Sequence, residues 1–251
     1  EANEAALKLA RLIRPNKKIL AFKNGFHGRT FGAMSATMQD KIQSGFEPLV
    51  PGFTKAIYND VDSLSAAVTS NIGAIIFEIV QGEGGVTPIT PAFAEALKAY
   101  QKQGVLLIVD EVQTGNGRTG YLFAFEHFDF EPDIFTLAKA LANGIPTGAM
   151  LAKNKYASYF SAGKHGSTFG GNPLAMASAN EVLKEIDSDF LEKVTDKGIF
   201  FLKLLTEKLS VKATVKSIRG LGLMIGIQLT DEKKVPEFLA LLRENGLLAL
   251  S

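Results

Sequence analysis

Asp110 and Lys139 are the residues whose types and surroundings carry the most chemistry. Asp110 closes the apolar run Val105-Leu106-Leu107-Ile108-Val109 and opens Glu111-Val112-Gln113-Thr114-Gly115. Lys139 stands 29 positions further on, in the almost chargeless stretch Thr136-Leu137-Ala138-Lys139-Ala140-Leu141. An acid at the end of a buried strand can hold a proton on a pyridine nitrogen. A lysine amine can carry an aldehyde as a Schiff base. Together they are what pyridoxal phosphate chemistry requires. The apolar neighbours of Lys139 would desolvate its amine and favour the neutral, nucleophilic form. Each residue also has an ordinary use, Asp as a strand-end cap and Lys as a helix residue with its head in water.

Other segments suit the same chemistry. Gln113 could donate to a phenolic oxygen, and the glycines of Thr114-Gly115-Asn116-Gly117-Arg118-Thr119-Gly120 mark a loop with unusual backbone angles or a close approach. Phe26 could stack on a pyridine ring, and Arg29 could pair with a carboxylate. His27, between them, reads equally well as a satisfied loop histidine. The hydroxyls and amides of His165-Gly166-Ser167-Thr168-Phe169-Gly170-Gly171-Asn172 precede a helix opening at Pro173, a setting for a phosphate or for an ordinary capping loop. In Glu78-Ile79-Val80-Gln81-Gly82-Glu83-Gly84-Gly85, Glu78 sits in an apolar segment and needs a partner, and Glu83 occupies a Gly-rich turn that could hold an arginine or a substrate amine.

The elements that must position these groups alternate between strand and helix. Strands are expected at Ile19–Phe22, Gly73–Val80, Val105–Val109 and Gly148–Leu151, and helices over residues 1–14, Val61–Val68 and Pro91–Gln103, the last two capped by Asp60 or Asp62 and by Thr90. Buried strands separated by helices indicate an α/β fold, a mainly parallel sheet covered on both faces, with its site beyond the carboxyl ends of the strands. A long helical stretch from Pro173 to Leu209, broken near Asp187-Ser188-Asp189, leads to strands at Val215–Ile218 and Leu223–Leu229 and a helix at Val235–Glu244. That tail reads as the start of a small α+β C-terminal domain. The expected division is residues 1–186 and 187–251. Gly220-Leu221-Gly222-Leu223-Met224-Ile225-Gly226 does not fit a dinucleotide fingerprint and reads as a Gly-punctuated strand.

Composition narrows the partners. Of 251 residues, 46% are hydrophobic, enough for a large core, and a net charge of +1 argues against nucleic acid as the main partner. No apolar run approaches the ~18 residues of a membrane span, which argues against a membrane role. Cysteine is absent and the three histidines are scattered, so no disulfide or metal site is expected; a cytoplasmic protein fits.

Taken together, Glu1-Ala2-Asn3-Glu4-Ala5-Ala6, Phe26-His27-Gly28-Arg29-Thr30, Gln81-Gly82-Glu83-Gly84-Gly85-Val86, Asp110 to Gly120, Thr136 to Leu141, His165 to Pro173 and Arg219 to Gly226 resemble the class III (ornithine-type, fold type I) pyridoxal-phosphate aminotransferases along the whole chain. The resemblance implies that Lys139 carries the cofactor, that Asp110 pairs with its ring nitrogen and that Phe26 stacks on the ring. It places Glu111, Val112 and Gln113 beside Asp110 as cofactor-binding residues, with Gln113 at the phenolic oxygen. It implies that Arg29 binds the substrate α-carboxylate, that Ser167 contacts substrate, and that Thr168 reaches the cofactor phosphate of a neighbouring subunit in a homodimer. Glu83 would pair with an arginine when a keto acid leaves.

The implied reaction is transamination between an ω-amine and 2-oxoglutarate. His27 after Phe26 and Gly84 after Glu83 favour N2-acetyl-L-ornithine as donor. Ornithine, 4-aminobutyrate or succinyl-diaminopimelate is the alternative, as is a non-catalytic domain keeping only the fold. On this resemblance the chain is an internal fragment. A phosphate-binding turn is expected before Glu1 and an arginine for Glu83 after Ser251, so the piece alone is expected to be inactive.

Overall fold

A computed structural model describes residues 1–251. In chain order the elements are α1 (Ala2–Ile13), β1 (Lys18–Phe22), α2 (Phe31–Ala36), α3 (Asp40–Gln43), β2 (Phe53–Ala56), α4 (Val61–Ala67), β3 (Ile72–Glu78), β4 (Val80–Gln81), β5 (Thr87–Pro88), α5 (Pro91–Lys102), β6 (Leu106–Asp110), β7 (Ile134–Leu137), β8 (Ala149–Ala152), α6 (Pro173–Glu185), α7 (Ser188–Leu209), β9 (Val215–Leu221), β10 (Met224–Leu229) and α8 (Val235–Glu244). No helix is long and apolar enough to cross a membrane.

Six strands form one sheet in the order β2-β1-β3-β6-β7-β8, parallel except for β8, which runs antiparallel to β7 at the edge. Every residue of β3 and β6 is buried, as continuous apolar runs in a doubly covered sheet require. One face packs Leu20, Phe22, Ile75, Phe77, Leu107 and Val109 against Phe93, Ala94 and Leu97 of α5 and Leu64 of α4. The other packs Ile19, Ala21, Ile76 and Ile108 against Ala6, Leu9, Ala10 and Ile13 of α1. The architecture is the expected α/β one, a mostly parallel sheet between helical layers.

Local chemistry explains the helix starts. The side chains of Asp60, Thr90, Asn172 and Asp187 each accept a backbone N–H from the first turn of α4, α5, α6 and α7. Pro91 and Pro173 sit where the missing N–H is no loss.

One expected boundary changes. The strand read from Gly73 to Val80 ends at Glu78, because Val80 and Gln81 turn away to pair antiparallel with Thr87 and Pro88. The segment around Lys139, to which the sequence pattern assigns no element, is a short strand, β7, running into a single 3-10 turn at Lys139–Ala142. The Gly-punctuated segment is the β9–β10 hairpin, a separate two-stranded sheet whose turn carries Gly222 at φ +56°.

Candidate active site

The carboxyl ends of β1, β3, β6 and β7 lie side by side, and Glu78, Asp110 and Thr136 stand in register across three of them. The strand order reverses direction at β1 and β3, the place where open parallel sheets leave a crevice for ligands. A cleft of about 140 Å³ opens there, lined by Asn3, Phe26, His27, Glu78, Glu83, Asp110, Val112, Gln113 and Lys139 among others.

Asp110 is held from three sides. Its Oδ2 accepts hydrogen bonds from Asn3 Nδ2 at 2.7 Å and pairs with His27 Nδ1 at 2.8 Å, and its Oδ1 accepts the Val112 N–H at 3.0 Å. Asn3 also donates to the His27 carbonyl and accepts from Thr136 Oγ1, each at 2.7 Å. Asn3, His27, Asp110 and Thr136 are all buried. The carboxylate is therefore fixed in orientation at the strand end. The bond to Val112 is a local cap.

Two titratable groups back it. Burial opposes charge on His27, but the hydrogen bond and charge of Asp110 and the charge of Glu78 outweigh that, so its pKa is raised. His27 Nε2 has no hydrogen-bond partner. Burial pushes Glu78 up to about 7; the charge of His27 lowers it and that of Asp110 raises it further. Glu78 accepts the Phe26 N–H at 3.0 Å and the Gly82 N–H at 3.4 Å, so it ties the Phe26 loop to the Glu83 turn.

Lys139 lines the same cleft at φ +47°, a left-handed conformation uncommon for a residue with a Cβ. Its side chain is exposed. The apolar neighbours that suggested desolvation point elsewhere: Leu137, Leu141 and Ala142 pack with Ala179 of α6. Gln113 leans on Gly82, where any Cβ would overlap its carboxamide. The half-buried Phe26 lies under the Arg29 guanidinium, 5.7 Å from ring centroid to Cζ, and Arg29 is exposed.

Not every expected residue joins the cleft. Glu111 turns inward and is fully buried. Its carboxylate takes the Thr114 hydroxyl and the Phe125 N–H, and burial raises it to about 7 despite those bonds. Its side chain staples the Gly-rich loop instead of lining the cleft. Ser167 and Thr168 lie on an exposed loop and do not line the cleft of their own chain.

Conversely, Asn3 and His27 hold Asp110, a role absent from the sequence-based expectations. Asn3 was detectable: with Ala6, Leu7, Ala10 and Ile13 it falls on the buried stripe of α1, where a polar side chain must have a partner.

The donor set suits one kind of cofactor. An oriented carboxylate, an aromatic ring, a carboxamide and a lysine amine around one cleft match the ring nitrogen, ring face, phenolic oxygen and aldehyde of pyridoxal phosphate.

Residues 1–251 match the family described as aminotransferase class III. The chain is 83% identical over 252 residues to acetylornithine aminotransferase of Lactococcus lactis, covering all of this chain and 67% of that protein. It is 52% identical over 253 residues to the Streptococcus mutans protein of the same name, covering 66% of it. Among solved structures, the ornithine aminotransferase of Toxoplasma gondii, described with partial occupancy of PLP at its active site, superposes with a TM-score of 0.93 at 35% identity, covering 99% of this chain and 62% of that one. The chain thus spans about two thirds of the length of the relatives it matches.

Proposed function

The chain belongs to the class III aminotransferase family, and we propose that its protein moves the δ-amino group of N2-acetyl-L-ornithine to 2-oxoglutarate, giving N-acetylglutamate 5-semialdehyde and glutamate, a step of arginine biosynthesis, with pyridoxal 5′-phosphate as cofactor. The observation that carries this is the single cleft shared by Asp110 and Lys139. The choice of donor rests on the proteins named acetylornithine aminotransferase, one of them 83% identical.

When bound, pyridoxal phosphate supplies an electron sink for the carbon from which a proton is taken. In this reading the chain provides the rest. Asp110, its carboxylate fixed by His27 and Asn3, would hold the ring nitrogen and keep a proton on it. Phe26 would cover one ring face, and Gln113 would reach the phenolic oxygen. Val112 borders the ring, whereas Glu111 acts only through the loop it staples. Lys139 Nζ would be the attachment point for the cofactor and could then move the proton as acid and base. Its strained backbone and exposed amine suit a group that must be attacked and released. Arg29 would bind the substrate α-carboxylate, Ser167, exposed beside Thr168, would contact substrate from the second copy, and Glu83 would hold an arginine.

Thr168 is exposed and away from the cleft of its own chain, which supports its acting on a second copy's cofactor phosphate in a homodimer. Residues 1–186 then form the cofactor-binding unit and 187–251 the smaller unit beside it.

The test is the ratio of kcat/KM for N2-acetylornithine and ornithine with 2-oxoglutarate as acceptor. A clear preference for acetylornithine, abolished in Lys139→Ala, is expected. Preference for ornithine would favour the second reading, for which the Toxoplasma gondii neighbour speaks.

A further inference from the structure

The turn that brings Glu83 to the cleft is built against its own backbone preferences. Gly85 has φ +83° and the next residue, Val86, has φ +50°. Glycine accepts that region, but a β-branched residue there is a steric outlier that the surroundings must hold in place. The β4–β5 ladder that carries the turn has only two residues in each strand. Its own support is slight: Val86 N–H reaches Gly82 O at 3.3 Å and Thr87 Oγ1 donates to Gly84 O at 3.1 Å.

The restraint comes from 134 positions away. Arg219 Nε donates to Gly85 O at 3.0 Å. The guanidinium is itself fixed, its Nη1 donating to Ser217 Oγ at 2.7 Å and to Gln228 Oε1 at 3.1 Å. Ser217 and Gln228 face each other across the β9–β10 hairpin, and so do Arg219 and Gly226. Gly226 completes the seat, since a Cβ there would stand 2.9 Å from Val86 Cβ and 3.1 Å from Gly85 O. From below, Glu78 takes the Gly82 N–H. Arg219 thus meets the turn with one edge of its fork and its own hairpin with the other, a geometry a lysine does not reproduce.

We propose that Arg219 is a positioning residue for substrate recognition: by pinning Gly85 it holds the strained turn that presents Glu83 to the cleft, making the β9–β10 hairpin part of the substrate site. The inference rests on the transaminase reading for its kinetic consequence but not for its structural one. A side chain that only stabilised the hairpin would leave Glu83 unaffected.

In the full-length protein, the experiment compares wild type with Arg219→Gln, Arg219→Lys and Ser217→Ala, the last removing one anchor of the guanidinium and serving if the first does not fold. Hydrogen exchange of the Gly82–Val86 peptide is read alongside KM and kcat for N2-acetylornithine and 2-oxoglutarate. Exchange about tenfold faster in Arg219→Gln is expected, with smaller increases in Arg219→Lys and Ser217→Ala. KM for at least one of the two substrates should rise about tenfold and kcat change less. In a Glu83→Gln background, Arg219→Gln should add almost nothing to that KM. Unchanged exchange of the turn, or fully additive effects of the two substitutions, overturns the proposal. If the full-length wild-type protein transfers no amino group, the functional reading fails, and the exchange rate alone decides whether Arg219 holds the turn.

Discussion

His27 Nδ1 lies 2.8 Å from Asp110 Oδ2, both residues buried, at the carboxyl ends of two strands separated in the sheet by β3. This pair spans the crevice. It couples the loop carrying Phe26 to the strand carrying the acid, so the ring face and the ring nitrogen would be positioned by one bond.

Replacing His27 with Phe keeps bulk and removes that bond, leaving Asp110 with Asn3 and the Val112 N–H. A loss of about 1–3 kcal/mol is expected in urea unfolding, with weaker pyridoxal phosphate binding by fluorescence titration. The pH dependence has a definite sign. The folded pKa of His27 is raised, so its stabilising contribution is complete below the unfolded value near 6.5 and fades as pH rises through the folded value. The deficit of the variant should therefore be larger at pH 6 than at pH 9. An equal deficit at both would mean that His27 does not gain its proton on folding.

Asn3→Leu removes three bonds at once, to Asp110, the His27 carbonyl and Thr136. Leucine suits the stripe of α1 but leaves those partners without it. A cost of about 2–4 kcal/mol is expected, together with loss of cofactor affinity. Asn3→Asp makes a useful contrast, since it keeps the shape and sets a second acid against Asp110. Cofactor binding as tight as wild type in Asn3→Leu would show that the carboxylate does not need this brace.

Glu111 gives a stability signature separate from the cleft. Burial raises it from 4.5 to about 7. Between those values the folded protein keeps a proton that the unfolded chain has released, so stability falls as pH rises and levels off above 7. The whole span is worth at most about 3–4 kcal/mol. Glu111→Gln removes this slope, so the variant should gain on wild type between pH 5 and pH 8 in thermal unfolding. Parallel curves would place the titration elsewhere, with Glu78 the next candidate.

The parts of this molecule legible in the sequence were those set by local pattern. The apolar run ending at Asp110 is a buried strand, Thr90-Pro91 and Asn172-Pro173 open helices, and the break at Asp187-Ser188 is a capped restart. Strand β7 escaped because four residues are too few for periodicity, and it is recognised only by its pairing with β6 and β8. Glu111 and Asp110 are adjacent, yet alternation along an extended chain sends one carboxylate inward and the other to the cleft. Apolar neighbours of Lys139 implied desolvation, but a single left-handed residue aims its side chain out while they pack inward. The brace of Asn3 on Asp110 joins positions 107 apart, a closure that only the fold makes.

Gly222 tests how tightly the C-terminal hairpin is set against the body of the molecule. Its φ is +56°, and a Cβ there would stand 2.5 Å from Thr119 Cα, 2.6 Å from Thr119 C and 2.8 Å from Arg118 O. All three are backbone atoms that cannot rotate away, and Leu223 N–H bonds Arg118 O beside them at 3.1 Å. The other side is equally close, since a Cβ on Gly198 of α7 would meet Gly222 O at 2.5 Å. Gly222→Ala should therefore cost about 2–4 kcal/mol, combining backbone strain with overpacking. Gly163 separates the two causes: its φ is +81° but no atom lies within 4 Å of its Cβ position. Gly163→Ala should cost only about 1 kcal/mol, from strain alone. Urea midpoints of the two variants give the comparison. Equal losses would mean that the hairpin can draw back from Thr119 without penalty, whereas the expected gap measures how firmly it is held.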